Sequence, residues 1–163
     1  MAKKQKKLNS MRILEQHDIA YEALPYDSAE RDAAGVAELL GVPEFLVYKT
    51  LIVQSVATEK PFIVMIESER RLNLKRMAAA AGEKKVKMAL HADAEKMTGL
   101  QVGGISALML LDKNWDIYLD SAATTHQHIY VSAGQRGLQL RVPVMPLMNL
   151  LRARLVDVSD TSE

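Results

Sequence analysis

The run Val47-Tyr48-Lys49-Thr50-Leu51-Ile52-Val53 constrains the fold more than any other stretch. Bulky β-branched and aromatic residues fall on both of its sides, so it reads as a strand covered on both faces. Pro61 to Ile66, PFIVMI, reads as its partner across the loop Gln54 to Lys60, and hairpin pairing is the simplest topology. One cation interrupts the run. A lysine inside an apolar strand is costly without an anionic partner, so Lys49 either snorkels at a strand end or is aimed at an anion. Periodicity alone divides these two readings evenly.

Helices and further strands surround that pair. Leu8, Met11 and Leu14, with Ile13, share one helical face that ends near His17-Asp18. Before it, Lys3, Lys4, Lys6 and Lys7 make residues 1–7 a basic tip, a solvated end in the bland reading and a phosphate-contacting arm in the sharper one. Ile19 to Leu24 is a short edge strand closed by Pro25, with Tyr26 just beyond it. Asp32 caps a helix through Ala33, Val36, Ala37 and Leu40 that Gly41 stops. Asn73 caps a second helix, Leu74–Ala81, ended by Gly82. Lys84, Lys85 and Lys87 follow in an alternating strand with Val86, and Asp93–Thr98 is a short helix stopped by Gly99. Two more strands, Trp115–Asp120 and His128–Ser132, flank the polar turn Ser121 to Gln127. Leu138–Val142 is another strand. Pro143 and Pro146 break the path before a closing helix from Leu147 that carries Arg152 and Arg154, and residues 159–163 read as a frayed tail. No repeat, linker or low-complexity block divides the chain. Residues 1–163 therefore make one α+β domain, a strongly curved mixed β-sheet or small barrel with flanking helices.

Composition narrows the function by exclusion. With 21 basic and 20 acidic side chains the formal charge is +1, which rules out a global attraction to nucleic acid but leaves room for a local patch. Lys75, Arg76, Lys84, Lys85 and Lys87 form one, a solvated face by default and the best local candidate for a phosphate backbone. The absence of cysteine removes disulfides, thiolate nucleophiles and thiolate zinc sites. No apolar run approaches the roughly 18 residues that span a bilayer. These features suit a soluble, cytoplasmic protein without a membrane partner. His126 and His128 lack a third clustered ligand, so no metal is expected, and His17 and His91 are isolated. Val102-Gly103-Gly104-Ile105-Ser106 is not a dinucleotide fingerprint, and neither a P-loop nor a GxSxG elbow occurs, so no cofactor is implied. Gly103 and Gly104 could bring bare backbone close to a ligand carbonyl or phosphate, but taken alone the pair reads better as a tight turn.

Four pieces occur in a telling order: Val47-Tyr48-Lys49-Thr50-Leu51, Leu72-Asn73-Leu74-Lys75, Val102-Gly103-Gly104-Ile105-Ser106, and Ile129-Tyr130-Val131-Ser132 with Gln135-Arg136-Gly137-Leu138. Each is weak alone; together they resemble the YbaK/ProX family of aminoacyl-tRNA deacylases, relatives of the prolyl-tRNA synthetase editing domain, from about Met11 to Val158. The resemblance implies hydrolysis of the ester in a mischarged aminoacyl-tRNA such as Cys-tRNA(Pro) or one bearing another small amino acid. The reaction would be substrate-assisted or water-using, without a protein nucleophile. It implies Lys49, Gly103, Gly104 and Ser132 as catalytic residues, with Lys49 holding the terminal adenosine or its phosphate and the glycines approaching the aminoacyl carbonyl. Tyr26, Ile105, Ser106, Ala107 and Arg136 would bind substrate, and Lys75, Lys84, Lys85 and Lys87 the tRNA body. Aminoacyl-tRNA is then the partner, with an aminoacyl-tRNA synthetase as a further one, and DNA is not. Four positions depart from the family pattern: Ala107 stands for proline, Ala133 for glycine, Gln135 for lysine and Gln139 for aspartate. They motivate an alternative, a catalytically degenerate member that binds a nucleotide or RNA end or serves as a regulatory partner.

Overall fold

The computed structural model describes residues 7–27 and 33–161, with the side chains of 33 and 34 left out; the expectations on Lys3, Lys4, Lys6 and Asp32 fall outside the described residues. Its elements in chain order are α1 (Asn9–Gln16), β1 (Glu22–Pro25), α2 (Ala33–Leu40), β2 (Tyr48–Ser55), β3 (Pro61–Glu67), β4 (Arg70–Leu72), α3 (Leu74–Ala81), β5 (Val86–Met88), α4 (His91–Thr98), β6 (Ile117–Asp120), β7 (His128–Ser132), β8 (Leu138–Pro143), α5 (Val144–Leu151), β9 (Arg154–Val156) and β10 (Ser159–Thr161).

The apolar run and its partner are β2 and β3, an antiparallel hairpin in register from Tyr48 opposite Glu67 to Gln54 opposite Pro61. They lie inside a mixed sheet ordered β5-β2-β3-β6-β9, with β6 parallel to β3 and β9 parallel to β6. Alternation sends Ile52, Ile63 and Met65 into one apolar cluster with Met11 and Leu14 of α1, and Val53, Val64 and Ile66 into a second with Met77 of α3. The strand is thus covered on both faces, as its composition requires. Burying each such side chain contributes about 1.5–3 kcal/mol, which makes the hairpin the structural centre.

A second sheet, β1-β8-β7, meets the first where Val47 forms a parallel bridge to Tyr130. β1 is an edge strand, as Pro25 demands. The architecture is α+β with a mixed sheet and flanking helices, and the sheet does not close into a barrel among the described residues.

Local signals were read correctly at α3, where the Asn73 side chain accepts from the Arg76 N–H at 2.9 Å and Gly82 takes φ 72°. Three expectations need correction. The closing helix starts at Val144, not Leu147: Pro146 sits in its first turn, where an N–H would have no helical partner in any case. That helix ends at Leu151; Arg152 takes φ 54° beyond it, and Arg154 opens β9. Residues 159–161 are not frayed but pair antiparallel with β4. Arg70 clamps them, donating from Nε to Ser159 Oγ at 2.8 Å and from a terminal nitrogen to Ser159 O at 2.7 Å, while Asp160 accepts from Asn73 at 2.9 Å.

Candidate active site

Strand β2 changes partners along one edge. Val53 to Ser55 pair with β5, while Val47 bridges to β7. Between them the stretch from Tyr48 to Leu51 has no strand on that side among the described residues, and a cavity of about 290 Å³ opens there. Its wall gathers Tyr26, Lys49, Gly103, Ile105 and Ser132, which come from four separate segments of the chain and were all expected at the site.

The strand registers place these groups. Two residues on from the Val47–Tyr130 bridge come Lys49 on β2 and Ser132 on β7, level with one another and on one face. Ser132 pairs across to Gln139 of β8, so Lys49, Ser132 and Gln139 look into the same space. Lys49 is half-buried. Ser132 Oγ accepts from the Gly134 N–H at 3.1 Å. Tyr26 is held at the rim by its own N–H, which donates to Gly137 O at 3.0 Å.

The paired glycines have two different reasons to be glycine. Gly103 takes φ 94° and lines the cavity, its other side covered by the Arg136 side chain, whose Nε donates to Val102 O at 2.8 Å. Gly104 is buried off the wall, and its N–H donates to Gln101 O at 2.8 Å. A Cβ there would lie 2.7 Å from Gln135 C and 2.8 Å from Arg136 N, because the two loops meet backbone on backbone. Gly104 therefore shapes the site through loop packing, not by offering its N–H to a ligand. Ser106 and Ala107 also stand behind the wall, Ala107 in the main apolar cluster, and Arg136 straps Gly103 from outside the cavity.

Several wall residues escaped sequence reasoning. His91, isolated in the chain, arrives because Ala89 N–H donates to Ile52 O and continues the β5–β2 register toward Thr50. Gln139 was noted only as a departure from the family pattern; its side chain is buried, lines the cavity, and its Oε1 has no hydrogen-bond partner. Strand alternation from Ser132 would have located it. Tyr48 also borders the cavity. Its hydroxyl is buried without a hydrogen bond, and burial, followed by the neighbouring Glu67, pushes its pKa up. Glu67, opposite Tyr48, is lifted to about 7 by burial and then by Glu69, against the pull of Arg70.

Lys75, Lys84, Lys85 and Lys87 are exposed and lie off the wall, with Lys87 Nζ 3.4 Å from Glu59. Arg76, grouped with them in sequence, instead holds Asp157 and Asp160 near the carboxyl end. A wider groove of about 370 Å³ around Trp115 and Tyr118 contains none of the expected site residues. Among the described residues no group of three His, Asp or Glu side chains could hold a metal ion, and no helix is long and apolar enough to cross a membrane.

A small cleft that sets a cation, a hydroxyl and a glycine backbone around one space is suited to binding and polarising a small acyl group at the end of a phosphorylated carrier. A family model described as the aminoacyl-tRNA editing domain matches residues 27–150, and the chain belongs to that family. It is 34% identical over 163 residues to EbsC of Enterococcus faecalis, named for Cys-tRNA(Pro) and Cys-tRNA(Cys) deacylation, with 98% of each chain covered. Among solved structures it is similar to the hypothetical protein APE2540 (TM-score 0.86, 27% identity, 94% of this chain and 100% of that one). It also shares its fold with a trans-editing enzyme for prolyl-tRNA synthetase (TM-score 0.79, 16% identity, 96% and 99% covered).

Proposed function

We propose that this protein is an aminoacyl-tRNA deacylase that acts in trans, hydrolysing the ester between a small, wrongly attached amino acid, cysteine foremost, and the tRNA 3′ end. The observation that carries the reading is the convergence of Tyr26, Lys49, Gly103, Ile105 and Ser132 on one cavity wall. At about 290 Å³ the cavity lies at the lower end of small-molecule sites, which favours a small acyl group.

Each group has a chemical task. Water adds to the ester carbonyl, the oxygen gains negative charge, and collapse of the tetrahedral species expels the ribose oxygen, which takes up a proton. The backbone N–H of Gly103 faces the developing oxyanion, where a preorganised donor is worth most. Lys49 attracts the phosphate or the terminal adenosine, which selects the anion-directed reading of this strand lysine. Ser132 orients the ester from the opposite side, and Tyr26 and Ile105 bound the acyl group. Arg136 acts by fixing the Gly103 backbone through Val102. Lys75, Lys84, Lys85 and Lys87 draw in the tRNA body by long-range attraction. The setting is the cytoplasm, beside an aminoacyl-tRNA synthetase.

The degenerate alternative loses weight because Ala107, Ala133 and Gln135 lie off the cavity wall, and Gln139 alone of the four departures lies on it. A panel of mischarged tRNAs tests the proposal. Deacylation of at least one, abolished by Lys49→Ala in a folded variant, is the expected result. No release above buffer across the panel, with active controls, would refute it.

A further inference from the structure

A short outer strand and the extended residues around it lead from the lysines to the cavity. β5 runs antiparallel to β2 with Val53 opposite Met88 and Ser55 opposite Val86, and the same pairing extends outward, with Val56 N–H donating to Lys85 O at 3.0 Å and Ala89 N–H to Ile52 O at 3.0 Å. Beyond β5 the chain stays extended to Leu90, the residue that precedes α4, and His91, the first residue of that helix, reaches the cavity wall beside Thr50. β5 is the outer strand of its sheet, so its far edge has no strand partner among the described residues. At about 3.3 Å per residue the extended stretch spans roughly 16 Å from Leu90 to Lys85, the reach of a few extended nucleotides.

The side chains change character along that edge. His91 stands at the mouth. Leu90 is 72% exposed and Met88 40%, two large apolar side chains left in water beside a binding cavity. Lys87, Lys85 and Lys84 follow, all exposed. An imidazole with an exposed leucine offers a stacking surface to an unpaired base, and lysines spaced beyond it match the phosphates that precede the base. Glu59 beside Lys87 is the acidic counterpart on this path.

From this we infer that the single-stranded 3′ end of the RNA runs along the outer edge of β5, with its last base stacked on His91 and Leu90 and its upstream phosphates on Lys87, Lys85 and Lys84. The inference rests on the deacylase reading for the identity of the RNA, and it adds a direction of entry and two base-contacting residues that the reading does not contain. It also explains the order of the segment: the cations lie on the side from which the strand arrives, and His91 lies where it ends.

The test uses uncharged RNA hairpins, so that binding is read apart from hydrolysis. One hairpin ends in a short single-stranded 3′ overhang with 2-aminopurine as the last base, and the other is blunt. The full-length protein is expected to bind the overhang hairpin more tightly and to quench its fluorescence. His91→Ala combined with Leu90→Ser should weaken that binding about tenfold and restore the fluorescence, while His91→Phe should retain both. Lys85→Ala with Lys87→Ala should flatten the salt dependence without restoring fluorescence. Equal binding of blunt and overhang hairpins, or a His91→Ala, Leu90→Ser protein that matches the parent, would overturn the path. Overhang binding with no deacylation of any charged tRNA would overturn the enzymatic reading and leave the path standing.

Discussion

Replacing Gln139 by methionine should make the protein more stable and less active at once. The side chain is 6% exposed, and its Oε1 has neither water access nor a hydrogen-bond partner. A buried acceptor left unsatisfied costs about 1–3 kcal/mol, and an apolar group of similar length removes that cost. Methionine matches the unbranched shape of glutamine, so little packing strain opposes the gain. For a chain of this size about 1–3 kcal/mol corresponds to a rise in Tm of roughly 2–12 °C. Urea unfolding of parent and Gln139→Met, compared at equal m-values, measures the stability change, and steady-state deacylation measures the loss. If the polarity of this wall side chain contributes to substrate binding, kcat/KM should fall about tenfold or more while the unfolding midpoint rises. A midpoint that falls would show that the amide already has a partner. Unchanged kcat/KM would show that the side chain's polarity does not act on the substrate.

Three further expectations follow from other parts of the structure. Gly104→Ala should destabilise by about 1–3 kcal/mol or more, because its Cβ meets the backbone of Gln135 and Arg136 at 2.7–2.8 Å, atoms that cannot yield as the end of a flexible side chain would; a urea midpoint within error of the parent would contradict the loop contact. Glu67 holds a proton in the folded chain between about pH 4.5 and about 7 that the unfolded chain releases, so stability should fall as pH rises through that window, by at most about 3 kcal/mol. Glu67→Gln should remove that slope, and equal slopes in urea unfolding at pH values on either side of the window would refute the assignment. Asn73→Ala removes both the α3 cap and the bond to Asp160, and should cost about 1–2 kcal/mol by the same measurement; no change would mean that neither bond contributes.

What was legible in the sequence follows from how local each cause is. The β2–β3 hairpin announced itself because apolar residues on both faces leave no other placement, and Asn73, Gly82 and Gly99 announced helix ends because cap and left-handed conformations are single-residue requirements. β4 and β10 stayed hidden because Arg-Arg-Leu and Ser-Asp-Thr carry no apolar alternation. They pair through Arg70, Asp120 and Asp160, including Ser159 Oγ donating to Asp120 Oδ2 at 2.6 Å, partners that meet only after folding. The site divided in the same way. Order along the chain was enough to nominate Lys49, Gly103 and Ser132. It could not separate Gly103, on the wall, from Gly104, behind it, since that distinction depends on a loop more than thirty residues away.

The same dependence divides the departures from the family pattern into two kinds. Ala107, in place of the proline of the family pattern, sits in the main apolar cluster with φ −61°, an angle that proline also adopts, and it does not touch the cavity. Its influence must pass through the loop that carries Gly103 and Ile105. Gln139 borders the cavity directly, opposite Ser132. An aspartate there would place a negative charge on the face shared with Lys49, and glutamine places none. The difference between this chain and the family pattern is therefore electrostatic at the wall and conformational behind it, and in the proposed reaction only the first would act on the ester directly.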